Sequence, residues 1–339
     1  MSPSIRIGIV GFGSIGKVHA EALAHCDGVE LAAVAGRSAA RPEGVAADWH
    51  ADYRELLQRT DIDLVVICTP SGLHGQQALE ALEAGKHVVI EKPMALRLDE
   101  AQAIVTASRE RGRFLSVISQ RRTEPQHRYL KELIDSGRLG RPVLGEALVR
   151  WYRPQSYYDS ADWRGTEAMD GGALMNQGIH LVDLLLWLMG PVAAVSAMTA
   201  TRTHQMEAED TASAALRFTS GALGVIAATT AAYPGLPAEL NLFFEQGAVS
   251  IHGSEVARWE VANVAPPPDS AAPSGGAADP KAVGMVGHLA QWQEILDALR
   301  TGREPLVTGE DGVAALALVL AVYESSQSGR TVRIGLQPT

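Results

Sequence analysis

The sequence predicts an α/β protein in two parts: an N-terminal domain with a parallel sheet, and a C-terminal α+β domain with a mainly antiparallel, open sheet. Three observations carry this. Over the first 120 residues, short apolar runs alternate with helical patterns of ten or more residues, the pattern of βαβ units. The runs are continuously apolar, as expected when helices cover both faces of a sheet. After residue 120, paired runs separated by short turn signals appear, and these read as hairpins. A chain of 339 residues exceeds one typical core, so two domains are expected, over residues 1–121 and 122–339.

Taken in order, residues 5–10 read as a strand and 14–25 as a helix. Strands follow at 29–35 and 64–69, a helix at 76–84, a strand at 87–90, a helix at 98–111 and a closing strand at 114–118. In the second half, 129–136 reads as a helix ended by Gly137. Residues 143–151 form a long strand. Hairpins are expected from 211–219 with 223–230, around Ser220-Gly221, and from 240–244 with 248–252, around Gln246-Gly247. The Pro-, Ala- and Gly-rich run 264–284 reads as a long loop within the domain. A last helix over 310–326 precedes a short strand at 331–334.

Composition sets limits on function. Apolar residues make up 46% and charged residues 20%, an ordinary globular balance. The formal net charge of −10 argues against a nucleic-acid partner, which requires a broad basic surface. The two cysteines, Cys26 and Cys68, form neither a disulfide framework nor a metal-ligand spacing. No His, Asp and Glu cluster has metal spacing in the sequence, so no metal is expected. The N-terminus runs straight into a strand without a signal-peptide pattern. The longest apolar stretch, 181–189, is too short to span a bilayer. The expectation is a cytoplasmic protein with a small-molecule substrate and no membrane partner.

The first strand runs into Gly11-Phe12-Gly13-Ser14-Ile15-Gly16, a GxGxxG that opens a helix. In that context it reads as the dinucleotide fingerprint of a Rossmann domain. Gly11 permits the turn, Gly13 lets the backbone approach a pyrophosphate, and Gly16 lets helix pack on strand. The helix N-terminus offers N–H groups to phosphate. An NAD site carries an acid about 20 residues on, for the ribose 2′-hydroxyl. Here the second strand is followed by Gly36-Arg37-Ser38, with Arg41 nearby. Arginine suits a 2′-phosphate, so NADP is expected in preference to NAD.

The strand at 87–90 ends in Glu91-Lys92-Pro93, and the preceding apolar strand ends in Thr69-Pro70-Ser71-Gly72-Leu73-His74. Ligands in open α/β sheets bind beyond such strand ends. Downstream stands Gly171-Gly172-Ala173-Leu174-Met175-Asn176-Gln177-Gly178-Ile179-His180-Leu181-Val182-Asp183. Helical spacing puts Asn176, His180 and Asp183 on one face with Trp187. A polar strip on an otherwise apolar helix must be satisfied or functional.

These motifs, in this order over essentially the whole chain, resemble the Gfo/Idh/MocA family of oxidoreductases. The resemblance implies hydride transfer between a substrate carbinol carbon and nicotinamide C4, with Lys92, His180 and Asn176 as catalytic residues. His180 has a pKa suited to taking the hydroxyl proton. Lys92 as ammonium would stabilise the developing alkoxide, or with a depressed pKa act as the base itself. The residues do not choose between these. Glu91 is read as orienting the turn or the lysine. Thr69, Pro70, His74, Glu91 and Lys92 join the glycine loop and Arg37, Ser38 and Arg41 as expected cofactor contacts, with His19 a further candidate for the phosphates. Asparagine at 176, where many family members carry aspartate, resembles the branch that acts on nucleotide-linked sugars at C3.

Residues 151–163 hold five of the 18 aromatics: Trp151, Tyr152, Tyr157, Tyr158 and Trp163. Arg150, Arg153 and Arg164 are interleaved or adjacent, and Arg121 and Arg122 stand at the expected domain junction. Aromatic stacking with arginine forks suggests an anionic sugar or sugar derivative as substrate. The expected substrate contacts are Arg121, Arg122, Trp151, Arg153, Tyr157, Tyr158, Trp163, Arg164, Asn176 and His180. The small residues on both faces of the 211–232 hairpin suggest a homodimer or homotetramer through the C-terminal sheet. Two alternatives remain at this stage. One is a cofactor-retaining, redox-assisted glycosidase. The other is a non-catalytic dinucleotide sensor, which has no need of Lys92, Asn176 and His180.

Overall fold

A computed structural model describes residues 4–38, 41, 46–267 and 284–335. Most of the loop expected at 264–284 lies outside the described residues. The chain forms two compact units, residues 1–120 with 284–313, and residues 121–283 with 314–339. The first unit is therefore not one continuous block, because a later segment returns to it.

In chain order the first unit contains β1 (Ile5–Val10), α1 (Ser14–Ala24), β2 (Val29–Ala35), β3 (Asp48–His50), α2 (Tyr53–Leu57), β4 (Leu64–Ile67), α3 (His74–Glu83), β5 (His87–Ile90), α4 (Leu98–Glu110) and β6 (Leu115–Val117). Its six strands are parallel and ordered β3-β2-β1-β4-β5-β6. The order reverses between β1 and β4, the switch point where such sheets bind ligands. Val10 pairs with Ile67, and Ile67 with Ile90. Three adjacent strands thus end in register, and Gly11, Cys68 and Glu91 follow them directly.

The second unit contains α5 (Pro125–Asp135), β7 (Pro142–Arg150), α6 (Gln155–Tyr158), a π-helical segment (Ala173–Gly178), α7 (Ile179–Met189), β8 (Val192–Ala200), β9 (Thr211–Phe218), β10 (Leu223–Thr229), β11 (Glu239–Phe244), β12 (Gly247–His252) and β13 (Glu255–Val261). Later in the chain come α8 (Val286–Thr301), α9 (Gly309–Ser328) and β14 (Val332–Arg333). The eight-stranded sheet runs β13-β12-β11-β7-β10-β9-β8-β14. Both expected hairpins are present as β9–β10 and β11–β12. One pair, β7 with β10, is parallel.

The alternation along β9 and β10 separates two faces. Ala212, Ala214, Leu216, Phe218, Ile226 and Ala228 are buried. Helix α7 lies close on that side, because a side chain at Gly145 of β7 would meet Leu185 and Met189 at about 3 Å. Across the other face, Met198 on β8 and Leu223 and Val225 on β10 stay exposed.

Helix α8 belongs to the first unit because its apolar residues enter that core. Trp292, Ile295 and Leu296 join Ile7, Ile9, Val34, Leu64 and Val66 in one buried cluster. Its Gln291, fully buried, accepts the Ser119 N–H at 3.0 Å and donates to the Val117 carbonyl at 2.9 Å. It thereby satisfies backbone groups at the end of β6 that would otherwise be orphaned. No helix among the described residues is long and apolar enough to cross a membrane.

Candidate active site

In the first unit the glycine loop divides the labour of its residues. Gly11 has φ +96°, and a Cβ there would lie 2.7 Å from the backbone of Cys68 and Thr69. A Cβ on Gly16 would lie 2.2 Å from the Gly11 carbonyl oxygen. Both positions are closed to any side chain. A Cβ at Gly13 meets nothing within 4 Å. Gly13 is also the N-cap of α1 and supplies no side-chain cap. The first-turn N–H groups therefore border an open cradle, the geometry that takes a pyrophosphate. These residues fit a dinucleotide.

Beyond β2, Arg37 and Ser38 are exposed, as is Arg41. Gly36 is a constrained position. A Cβ there would lie 2.5 Å from Trp49, whose indole N–H donates to the Ser38 carbonyl at 3.0 Å. Trp49 also meets Phe12 edge to face, with ring centroids 6.3 Å apart. The acid of an NAD site is missing here, and the Trp49 ring stands where a residue-36 side chain would begin.

Thr69, Pro70 and Lys92 follow the ends of β4 and β5. The Thr69 hydroxyl donates to Gln77 at 2.6 Å. His74 requires a correction. Its ring is buried, with Nδ1 2.8 Å from the Pro93 carbonyl oxygen and Nε2 2.8 Å from that of Thr69. Burial holds its pKa below the ordinary value. Each nitrogen faces a backbone carbonyl, and the neutral ring donates to one of them, so the buried ring sits between the Thr69 turn and the Glu91-Lys92-Pro93 turn. His19 is likewise fully buried and not on a phosphate path. Its Nε2 lies 2.9 Å from Glu91 Oε1. Glu91 is held well below the usual carboxylate range, against its own burial, by His19 and His288. Its other oxygen accepts the Lys92 main-chain N–H at 3.1 Å. His19, Glu91 and His288 also bring possible ligand atoms within 4.8 Å of one another, a trio that spacing along the chain did not reveal.

In the second unit Asn176 lies in the π-helical segment that leads into α7. Such turns recur at functional sites, because each inserts an extra residue and re-aims side chains. The Asn176 amide donates to Asp170, and its carbonyl oxygen accepts from Gln177 Nε2 at 2.8 Å. Asp170 is itself buried and accepts the Gly165 N–H at 2.8 Å. The start of the π-helical segment is held by Glu209, which accepts the Leu174 N–H at 2.8 Å and the Tyr323 hydroxyl at 3.0 Å. Burial lifts the Glu209 carboxyl to about 7.

Asp183 is taken up by an arginine. Both of its oxygens accept from Arg122, at 2.8 and 2.6 Å. Arg122 is buried in this bidentate pair and lies over Trp187, 5.4 Å from the ring centroid. Arg121 donates to the Gly253 carbonyl and pairs with Glu124. The expectation that Arg121 and Arg122 bind substrate is corrected accordingly. Their charges are committed within the fold, where removing one partner of a buried pair costs about 3–5 kcal/mol.

Trp151, Arg153, Tyr157, Trp163 and Arg164 do gather. Arg164 donates to the Tyr157 hydroxyl at 2.6 Å and stacks over the Tyr157 and Trp163 rings at 4.2 and 4.6 Å. Arg153 lies over Trp151 and Tyr157 and donates to the Tyr152 carbonyl at 2.8 Å. Its Nη2 reaches Gln177 at 3.5 Å, and Gln177 bonds Asn176. Tyr158 meets Tyr157 edge to face, with centroids 5.1 Å apart, and is buried with its hydroxyl 2.7 Å from that of Thr230. The sequence reading missed Asp170 and Glu209. Asp170 directly precedes Gly171-Gly172 at the helix entry, a usable signal. Glu209 lies 35 residues from its partner Leu174, and no local pattern marks it.

Comparison with known proteins places the chain in a family. Residues 5–119 match the oxidoreductase family with an NAD-binding Rossmann fold. Residues 127–255 match a GFO/IDH/MocA C-terminal domain, and 282–334 that family's C-terminal alpha/beta domain. The chain is 37% identical to the WlbA dehydrogenase of Bordetella pertussis, solved with NADH and UDP-GlcNAcA, covering 98% of this chain and 100% of that one with a TM-score of 0.87. It is 30% identical to the uncharacterized oxidoreductase YrbE of Bacillus subtilis, over 98% of each chain. It is 27% identical to the NADP(+)-dependent scyllo-inositol 2-dehydrogenase IolW of the same organism, over 98% of this chain and 96% of the relative. The chain belongs to the Gfo/Idh/MocA family of NAD(P)-dependent oxidoreductases, which includes relatives that act on sugars and polyols.

Proposed function

We propose that the protein is a dehydrogenase for a secondary hydroxyl of a negatively charged sugar, a nucleotide-linked sugar acid above all, with NADP as its cofactor. One observation carries this reading. The open cradle at Gly13 and the Lys92 turn stand at the ends of β1 and β5, which flank β4 in one sheet. Gly11 to Gly16 would hold the pyrophosphate, and Arg37, Ser38 and Arg41 the 2′-phosphate. Bound nicotinamide supplies a hydride acceptor. Lys92, as ammonium, donates to the substrate oxygen and stabilises its developing negative charge. His180 takes the hydroxyl proton. Asn176, fixed by Asp170 and Gln177, holds the substrate hydroxyl. Arg164, on the Tyr157 and Trp163 rings, recognises the anionic part, while the buried Arg153 braces Trp151 and Tyr157. The substrate class is also supported by the WlbA complex with UDP-GlcNAcA.

A second copy of the chain is the proposed partner of the open sheet face, where Met198 and Leu223 remain 80% and 51% exposed. Light scattering should give a dimer or tetramer, and a monomer contradicts this. The catalytic reading is tested by reduced-nicotinamide absorbance across inositols, free sugars, sugar acids and nucleotide sugars, with NAD and NADP each in turn. Turnover confined to acidic nucleotide sugars supports it. Turnover confined to neutral polyols overturns the substrate class.

A further inference from the structure

The trio of His19, Glu91 and His288 resembles a metal site in outline, but its hydrogen bonds give it another use. The Trp292 indole Nε1 lies 2.9 Å from His19 Nδ1. Indole nitrogen is a donor only, so His19 Nδ1 accepts and carries no proton. A neutral ring then has its proton on Nε2, which lies 2.9 Å from Glu91 Oε1 and donates to it. The rings of His19 and Trp292 meet edge to face, with centroids 5.7 Å apart, and both side chains are fully buried. A cation on His19 Nε2 would need that nitrogen's lone pair and would move the proton to Nδ1. Two N–H donors would then point at each other inside the core. The indole therefore favours a proton at this position over a metal ion.

Glu91 passes the arrangement on. With Oε1 engaged by His19, and His288 Nε2 3.6 Å from the same oxygen, its Oε2 faces the Lys92 main-chain N–H at 3.1 Å. We propose that Trp292 and His19 are positioning residues for Lys92: the indole fixes the His19 tautomer, His19 orients Glu91, and Glu91 holds the backbone from which Lys92 projects. The inference rests on the reading of Lys92 as a catalytic residue. It assigns a functional role to α8, whose Trp292 lies 273 positions from His19 in the chain. Burial agrees with the neutral ring, since it holds His19 below its ordinary pKa.

The test compares Trp292→Phe, which keeps a ring and deletes the donor, with His19→Leu and His19→Gln. Glutamine keeps an N–H for Glu91 and leucine does not. With UDP-GlcNAcA at saturating NADP, Trp292→Phe and His19→Leu should each lower kcat about tenfold while KM moves less than about twofold, the size expected for losing one buried hydrogen bond. His19→Gln should recover kcat to within about threefold of the parent. Two readouts need no turnover. Nitrogen-15 spectra should show His19 protonated on Nε2 in the parent and a changed tautomer balance in Trp292→Phe. Amide exchange at Lys92 should quicken about tenfold in Trp292→Phe. Parent-like exchange and kcat in Trp292→Phe overturn the proposal, as does a parent His19 protonated on Nδ1 or zinc bound stoichiometrically and lost in His19→Leu. Should His19→Leu fail to fold, Trp292→Phe and His19→Gln carry the comparison. A Lys92→Ala control separates the two levels. If it keeps full turnover, the catalytic reading fails. If it is inactive while Trp292→Phe is normal in every readout, only the positioning role fails.

Discussion

Replacing Glu209 with glutamine should stabilise the fold at alkaline pH much more than at acid pH. Its carboxyl is buried at the start of the π-helical segment, accepting the Leu174 N–H and the Tyr323 hydroxyl. Burial raises its pKa from 4.5 to about 7. The folded chain therefore holds this proton more tightly than the unfolded chain. Between pH 4.5 and about 7 the folded state binds more protons, so stability from this group falls as pH rises through that window and stays low above it. Two and a half pH units at about 1.4 kcal/mol each give an upper bound of about 3.5 kcal/mol. Glutamine keeps an acceptor oxygen for both donors and carries no charge to desolvate. Urea unfolding of both proteins at about pH 5 and pH 8.5 measures the difference, and the advantage of Glu209→Gln should grow by about 1–3 kcal/mol at the higher pH. An advantage equal at both pH values refutes the reasoning, because the carboxyl would then titrate in its ordinary range.

Other outcomes follow from the same physics. Asp170→Asn removes the charge behind Asn176 and should lower kcat about 10- to 100-fold, with cofactor affinity unchanged by fluorescence titration. Gly36→Ala puts a Cβ against Trp49. It should cost about 1–3 kcal/mol in thermal unfolding and weaken dinucleotide binding. His127 is held down at about 3 by burial and by Arg121. The folded state therefore excludes a proton that the unfolded state takes up below pH 6.5. Stability should fall as pH drops from 6.5 towards 3, by at most about 5 kcal/mol, and His127→Gln should flatten that acid limb in an unfolding series.

What was legible in the sequence was local. The strands β1, β2, β4 and β5 were readable because sheets buried on both faces require unbroken apolar runs. The glycine loop was readable because its constraints act within six residues. Strand β3 is only three residues long, and its Trp49 and His50 do not make a run. Helix α8 was obscured because His288 and Gln291 are among its buried residues, so its inner face does not look apolar. Strand β8, rich in alanine, has little β propensity to show. The same division holds at the site. Lys92, Asn176 and His180 stand in contiguous motifs, so the sequence alone can propose them. The commitments of Arg122 to Asp183 and of Arg121 to Gly253 span 61 and 132 positions, and only the folded chain brings those partners together. Counting arginines near an aromatic segment could not reveal which were already paired.

The most direct test of the central claim is Lys92→Ala assayed in two ways on the same preparation. NADP affinity is read by fluorescence quenching, and turnover of UDP-GlcNAcA by absorbance of the reduced cofactor. Stabilisation of a developing alkoxide predicts a loss of about 10³-fold in kcat, with the dissociation constant for the cofactor within about twofold of the parent. Full turnover in the variant, or a loss wholly explained by weaker cofactor binding, contradicts the account.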